Sequence, residues 1–191
     1  MLCSPSSALT ITNCIIIKNR AGKSSGGIHV AGSASPLVEN CTISESATID
    51  GTADFNGGGA QFTTLSKLIF KNCIFSSNAS GWIAGTVAIV ESQPEFINCV
   101  FVDNTAGQYA GAVAIIRFSM ALSTAYSRVV TTTIRPILMG NPLFICSSKY
   151  LISSNSPAID HGTMTDAPLK DIQSQVRSQR NGIDIGVDEV L

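Results

Sequence analysis

The chain has 191 residues, a formal net charge of -1 and only 13% charged residues. That length suits one domain with a real core, and the sparse, balanced charge excludes the clustered Lys/Arg face that nucleic-acid binding needs. No apolar stretch approaches the roughly 18 residues of a membrane-crossing helix.

The start, Met1-Leu2-Cys3-Ser4-Pro5, has neither the basic nor the apolar region of a signal peptide. Either the protein is intracellular or the sequence begins inside a longer chain. The first complete repeat begins near Leu9 with no amphipathic segment before it. Terminal repeats need capping, so the expectation is an N-terminal extension or an unusual cap.

From there one unit recurs, anchored on Asn13, Asn40, Asn72 and Asn98 at spacings of 27, 32 and 26 residues. Two positions before each Asn stands Ile11, Val38, Phe70 or Phe96. A Cys follows each Asn directly: Cys14, Cys41, Cys73 and Cys99. Three positions after it stands Ile16, Ile43, Phe75 or Phe101, and six after it Asn19, Ser46, Asn78 or Asn104. Three copies then carry a glycine pair, Gly22 and Gly26, Gly81 and Gly85, Gly107 and Gly111. An alternating strand closes each of these copies: Ile28-His29-Val30, Val87-Ala88-Ile89 and Val113-Ala114-Ile115. The second copy has an insertion between Ser46 and Gly58 and then returns to register at Gly58-Gly59-Ala60-Gln61-Phe62.

A period of about 26 residues holds three short strands and three turns, and is too short for a propeller blade or a helical repeat. Coils stacked in register bury one continuous core, with roughly 1.5–3 kcal/mol from each buried Ile, Val or Phe. The expected fold is therefore all-β, a right-handed parallel β-helix with three short strands per rung. Residues 1–116 hold four regular rungs, and residues 117–191 hold irregular final rungs and a C-terminal motif of the same domain. Each Asn suits a tight bend because it tolerates left-handed backbone, and its amide can bond its neighbour along the column. Gly at the wide turn is expected to permit positive φ. Equivalent Cys residues lie about 4.8 Å apart with parallel side chains, so they read as a buried stack of free thiols rather than as bridges. Cys3 and Cys146 fall outside the register.

Residues 117–140 break the pattern. Less regular rungs are expected there, with Val129, Val130 and Ile134 facing inward.

At Phe70-Lys71-Asn72-Cys73-Ile74-Phe75 and Phe96-Ile97-Asn98-Cys99-Val100-Phe101 the sequence resembles the right-handed parallel β-helix repeat family, the pectate-lyase-like superfamily. These units also resemble the repeats of polymorphic outer-membrane adhesins. A second resemblance covers residues 141–189: Asn141-Pro142-Leu143-Phe144, Ser156-Pro157-Ala158-Ile159-Asp160-His161-Gly162, Asp171, Arg177 and Gly182-Ile183-Asp184-Ile185-Gly186-Val187-Asp188-Glu189. In this order they are similar to the C-terminal motif of bacterial choice-of-anchor Q proteins. Those are secreted β-helix proteins in which a sorting signal often follows the domain. His161, Val187 and Ser174-Gln175 depart from the usual motif.

Enzymes on this fold place their catalytic groups on the outer face of the strands. A lyase needs a base and a carboxylate-neutralising group, and a hydrolase needs paired carboxylates. No carboxylate or basic column recurs at one outward position here. The positions equivalent to His29 are Gln61, Ala88 and Ala114, so His29 reads as a surface residue, and His161 lies in the terminal motif at a position where the resemblance implies that other residues are tolerated. Asp160, Asp171 and Asp184, with Asp188 and Glu189, are candidate calcium ligands. The competing reading has them bond turn amides and pair with Arg177 or Arg180. Trp82 and Tyr109, in the Gly-bounded loops 81–85 and 107–111, are candidate sugar-stacking residues; the plainer alternative is that they shield the turns. Asn78-Ala79-Ser80 fits a glycosylation acceptor, but Asn78 occupies a stacking position. The expected function is a non-catalytic secreted or cell-surface module for adhesion or carbohydrate binding. The alternatives are a fragment of a polysaccharide lyase or glycoside hydrolase with its catalytic rungs elsewhere, and a structural spacer.

Overall fold

The computed structural model describes residues 1–49, 56–116, 133–139, 141–146, 150–177 and 181–190. A half-coil, β1 (Leu2–Cys3), precedes the first full coil of β2 (Thr10–Thr12), β3 (Ile15–Ile17), β4 (Arg20–Ala21) and β5 (Ile28–Val30). The second coil is β6 (Leu37–Glu39), β7 (Thr42–Ser44), β8 (Ala47–Thr48) and β9 (Ala60–Phe62). The third is β10 (Ile69–Lys71), β11 (Ile74–Ser76), β12 (Ala79–Ser80) and β13 (Val87–Val90). In the fourth, β14 (Glu95–Val102) runs through the bend, followed by β15 (Thr105–Ala106) and β16 (Val113–Ile116). Then come β17 (Thr133–Met139), β18 (Phe144–Cys146) and β19 (Leu151–Ile152).

The pairing register is the one the repeat dictates. Ile11 lies beside Val38, Val38 beside Phe70 and Phe70 beside Phe96. Ile16, Ile43, Phe75 and Phe101 form the next column. His29, Gln61, Ala88 and Ala114 form another. All of these pairs are parallel, so the chain is a parallel β-helix whose strands gather into three stacked sheets, in the orders β1-β5-β9-β13-β16, β2-β6-β10-β14-β11-β7-β3 and β15-β12-β8-β4. The insertion in the second coil leaves both flanks paired, at Ala47 with Arg20 and at Gly57 with Ala84. Of residues 117–140, β17 stacks on β14 in parallel with Ile134 opposite Phe96; Val129 and Val130 lie outside the described residues.

The interior shows why each position holds its residue type. Phe70 stacks on Phe96 at 5.3 Å between ring centroids, and Phe75 on Phe101 at 4.9 Å. The two stacks meet edge to face, a preferred ring geometry. The four Asn residues turn the bend with φ of 53°, 49°, 52° and 52° at Asn13, Asn40, Asn72 and Asn98, a region that favours Asn among residues with a side chain. A second left-handed column, Lys18, Glu45, Ser77 and Asp103 at φ of 47–59°, turns the next bend; its mixed residue types hid it from the sequence. Cys14, Cys41, Cys73 and Cys99 are free thiols in a column. Each of them donates to a carbonyl two residues back, from 3.1 Å at Cys14 and Cys41 to 3.4 Å at Cys99. Burial pushes the Cys41 thiol up to about 11 and the Cys73 thiol up as well, which keeps both protonated and unreactive. Cys3 belongs to the core too, paired in register with Val30.

Residues 150–177 and 181–190 do not add coils. They run along the outside of the helix and form a second apolar core with it. Ile74, Val100 and Val102, on the outer side of β11 and β14, pack against Tyr150, Ile152, Ala158, Ile185 and Val187. These strands are buried on both faces, which is why Val100-Phe101-Val102 reads as a continuous apolar run instead of alternating.

Candidate functional site

The turn loops stack as the strands do. Ser25, Gly57, Ala84 and Ala110 bridge from coil to coil, and the Gln108 N–H donates to the Trp82 carbonyl at 2.9 Å. At Gly26, Gly85, Gly107 and Gly111 glycine is there because main chain lies on main chain. A Cβ on Gly85 would sit 2.2 Å from the Gly111 carbonyl oxygen and 2.5 Å from that of Thr105. This corrects the expectation of positive φ at these turns; among the described residues the positive-φ glycines are Gly32 and Gly186.

The structure separates the two candidate aromatics. Tyr109 is 69% exposed. Trp82 is half-buried against the cluster of Ile83, Ala84 and Ala88, on which Ala114 also packs. Ala88, at the outward position of β13, therefore forms part of the floor under Trp82. Among the described residues no ring contact joins the two aromatics, so each presents its own face on adjacent coils, about 4.8 Å apart in rise.

His29, expected at the surface, is half-buried, and its Nε2 is buried without a hydrogen-bond partner. The cause is β1, which stacks beside it with Leu2 opposite His29 and accepts the His29 N–H at the Met1 carbonyl. The sequence reading began the first unit near Leu9 and so missed that half-coil. Burial pushes the imidazole pKa down, and the nearby terminal ammonium adds to the effect. His161 is exposed, with Nδ1 against the Ile159 carbonyl.

The C-terminal carboxylates are spent on the main chain. Asp160 accepts from the Gly182 N–H at 2.9 Å. Asp171 accepts from Gln173 and Gln175 at 2.8 Å and from Glu189 at 3.2 Å. Asp184 accepts from Asp160 at 2.9 Å and Val190 at 2.8 Å, and Asp188 from Ile152 at 2.9 Å. Burial raises the Asp171 and Asp184 pKa values against the pull of these amides. Among the described residues no three His, Cys, Asp or Glu side chains are grouped to hold a metal ion. Arg177 is buried, paired with Glu189 at 3.3 Å. Arg180 lies outside the described residues.

Arg177 also reaches the Asn column, a meeting the sequence did not disclose. Its Nη2 donates to Asn40 at 3.2 Å and to the Gly186 carbonyl at 2.9 Å. Asn72 turns its amide oxygen to the same guanidinium, 2.8 Å from Nη1 and 2.9 Å from Nε. Asn40 donates to the Lys170 carbonyl at 2.7 Å. Asn98 clamps both main-chain groups of Thr163, donating to its carbonyl at 2.9 Å and accepting from its N–H at 2.7 Å. In three coils, then, the Asn side chain is a bracket for residues 150–190. Along the bend column the Asn72 and Asn98 amides meet at 3.2 Å, as expected, and a second column bonds in the same way at Asn78 and Asn104, where Nδ2 donates to Oδ1 at 3.1 Å.

Comparison with known proteins agrees with this architecture. The sequence matches the family described as "Right handed beta helix region" over residues 1–119. No curated protein and no solved structure matches the chain. No helix among the described residues is long and apolar enough to cross a membrane.

Proposed function

The chain belongs to the right-handed β-helix family, and from that premise we propose that it is a binding module, not an enzyme, which holds a polysaccharide or cell-surface glycan along its row of stacked turn loops. The observation that carries this reading is Tyr109, a 69% exposed aromatic on a loop fixed main chain to main chain against its neighbours. The partly open Trp82 lies one coil away. Aromatic faces held on rigid loops pack against the apolar faces of sugars at little entropic cost. The carboxylates offered by the described C-terminal residues accept main-chain amide bonds, and no outward column of acids or bases recurs in the sequence. The likeness of residues 141–189 to choice-of-anchor Q proteins supports a secreted or surface setting.

A glycan array probed with the wild type, Trp82→Ala and Tyr109→Ala tests it. Binding to a defined glycan class, weakened roughly tenfold by Tyr109→Ala as for an aromatic hot spot, supports the module. Binding unchanged in both variants removes the aromatic site. Release of reducing ends or unsaturated uronides from a polysaccharide panel replaces the module with an enzyme.

A further inference from the structure

We propose that the outward face of the first coil is a docking site for an extended polypeptide segment of a partner protein, bracketed through its main chain by Asn13 and seated on Ile15 and Ile17. The argument starts from a face that is already an interface. Over coils two to four the outward side of the same strands is covered by residues 150–190, and the covered positions are Thr42 and Ser44, Ile74 and Ser76, Val100 and Val102, all buried. The register continues without a break to Ile15 and Ile17, yet there the cover stops: Ile15 is 47% and Ile17 37% exposed.

Residue chemistry runs against that exposure. The coil beside it, which is covered, carries Thr and Ser at these positions, whereas the open coil carries two isoleucines. Ile15-Ile16-Ile17 is a run without alternation, the pattern of a strand buried on both faces. Ile16 packs into the core, so a cover over the other two residues is the missing half.

Asn13 supplies the bracket. It holds the same left-handed backbone, φ 53°, as the three Asn residues above it. Asn98 shows what such an amide does, clamping the N–H and carbonyl of one residue, Thr163. Asn40 takes the Lys170 carbonyl in the same way. Asn13 is exposed, and its amide bonds no other described residue. The bracket is indifferent to sequence because it reads main chain; the isoleucines choose apolar side chains at alternate positions. Arg20, exposed on the following strand of the same coil, favours an acidic residue at one end. This face is separate from the loop row, so either site stands without the other.

A phage-displayed library of random 12-residue peptides, panned on the full chain and counter-selected on Ile15→Asp, tests the site. The expected clones alternate apolar residues. They lose roughly tenfold in affinity to Ile15→Asp or Ile17→Asp and about fivefold to Asn13→Gly, which removes the amide and keeps the left-handed bend, with the far-UV circular dichroism of each variant unchanged because all three positions are exposed. Failure to enrich clones over the counter-target, or clones that bind the variants as tightly as the wild type, overturns the proposal. So does a concentration-dependent dimer in sedimentation that Ile15→Asp dissolves, which gives the face to a second copy of this chain.

Discussion

His29 sits between β1 and β9 with Nε2 buried and unpartnered, so a proton added there becomes a buried charge. Its folded-state pKa is lowered from 6.5, and the unfolded chain therefore binds the proton first. Stability from this group is complete above pH 6.5 and falls as the pH drops through and below that value. Asp171 and Asp184 have the opposite sign, since their raised pKa values let the folded state take up protons first as the pH falls. The two contributions separate in a difference measurement. Thermal melts at pH 7 and pH 5 will show a larger drop in melting temperature for the wild type than for His29→Gln, which places in this coil the residue found at 61 in the next. An equal drop in both removes His29 as the cause. The sequence made this column legible, from His29 through Gln61 and Ala88 to Ala114. What it hid was the environment, because two residues of β1 are too short to show a period. The Asn bend was legible for the opposite reason: only a residue that accepts positive φ recurs four times at one bend.

In the turns, identity was legible and cause was not. Gly22 opens one glycine pair and Gly85 closes another; a Cβ on Gly22 meets nothing within 4 Å, while one on Gly85 strikes two carbonyl oxygens. Both oxygens belong to main chain of the next coil and cannot rotate away. Gly85→Ala therefore forces the third and fourth coils apart, at about 1–3 kcal/mol by the usual cost of overpacking. Gly22→Ala stays within about 0.5 kcal/mol, as at an open surface site. Urea unfolding of both variants checks the pair. Equal effects show that backbone freedom, not crowding, selects glycine here. The strand elements were legible from period alone, since each inward side chain repeats against its equivalent 26, 27 or 32 residues away. Residues 150–190 make contacts at separations such as 65 and 137 residues, as between Asn98 and Thr163 or Asn40 and Arg177. Each occurs once, and a contact made once leaves no period to read.

Those single contacts change how the whole molecule holds together. A bare solenoid is joined only between neighbouring coils and frays from its ends. Here one segment spans three coils, bracketed by Asn40, Asn72 and Asn98 and knotted at Arg177, whose guanidinium joins Asn40, Asn72 and Glu189. The first coil lies beyond this strap, and its strands β2, β3 and β4 are edge strands. Hydrogen exchange in the intact chain will accordingly run fastest in the first coil and slowest in the third, inside the strap. Arg177→Ala leaves the Glu189 carboxylate buried without its cation, a loss of about 3–5 kcal/mol for a broken buried pair, and it releases two Asn brackets at once. In that variant the amides of β7 and β11 should exchange as fast as those of β3, while the pattern in β13 and β16, which the strap does not bracket, keeps its order. If exchange instead accelerates evenly through all coils, the molecule unfolds as one unit, and the strap's hold is not confined to the coils it touches.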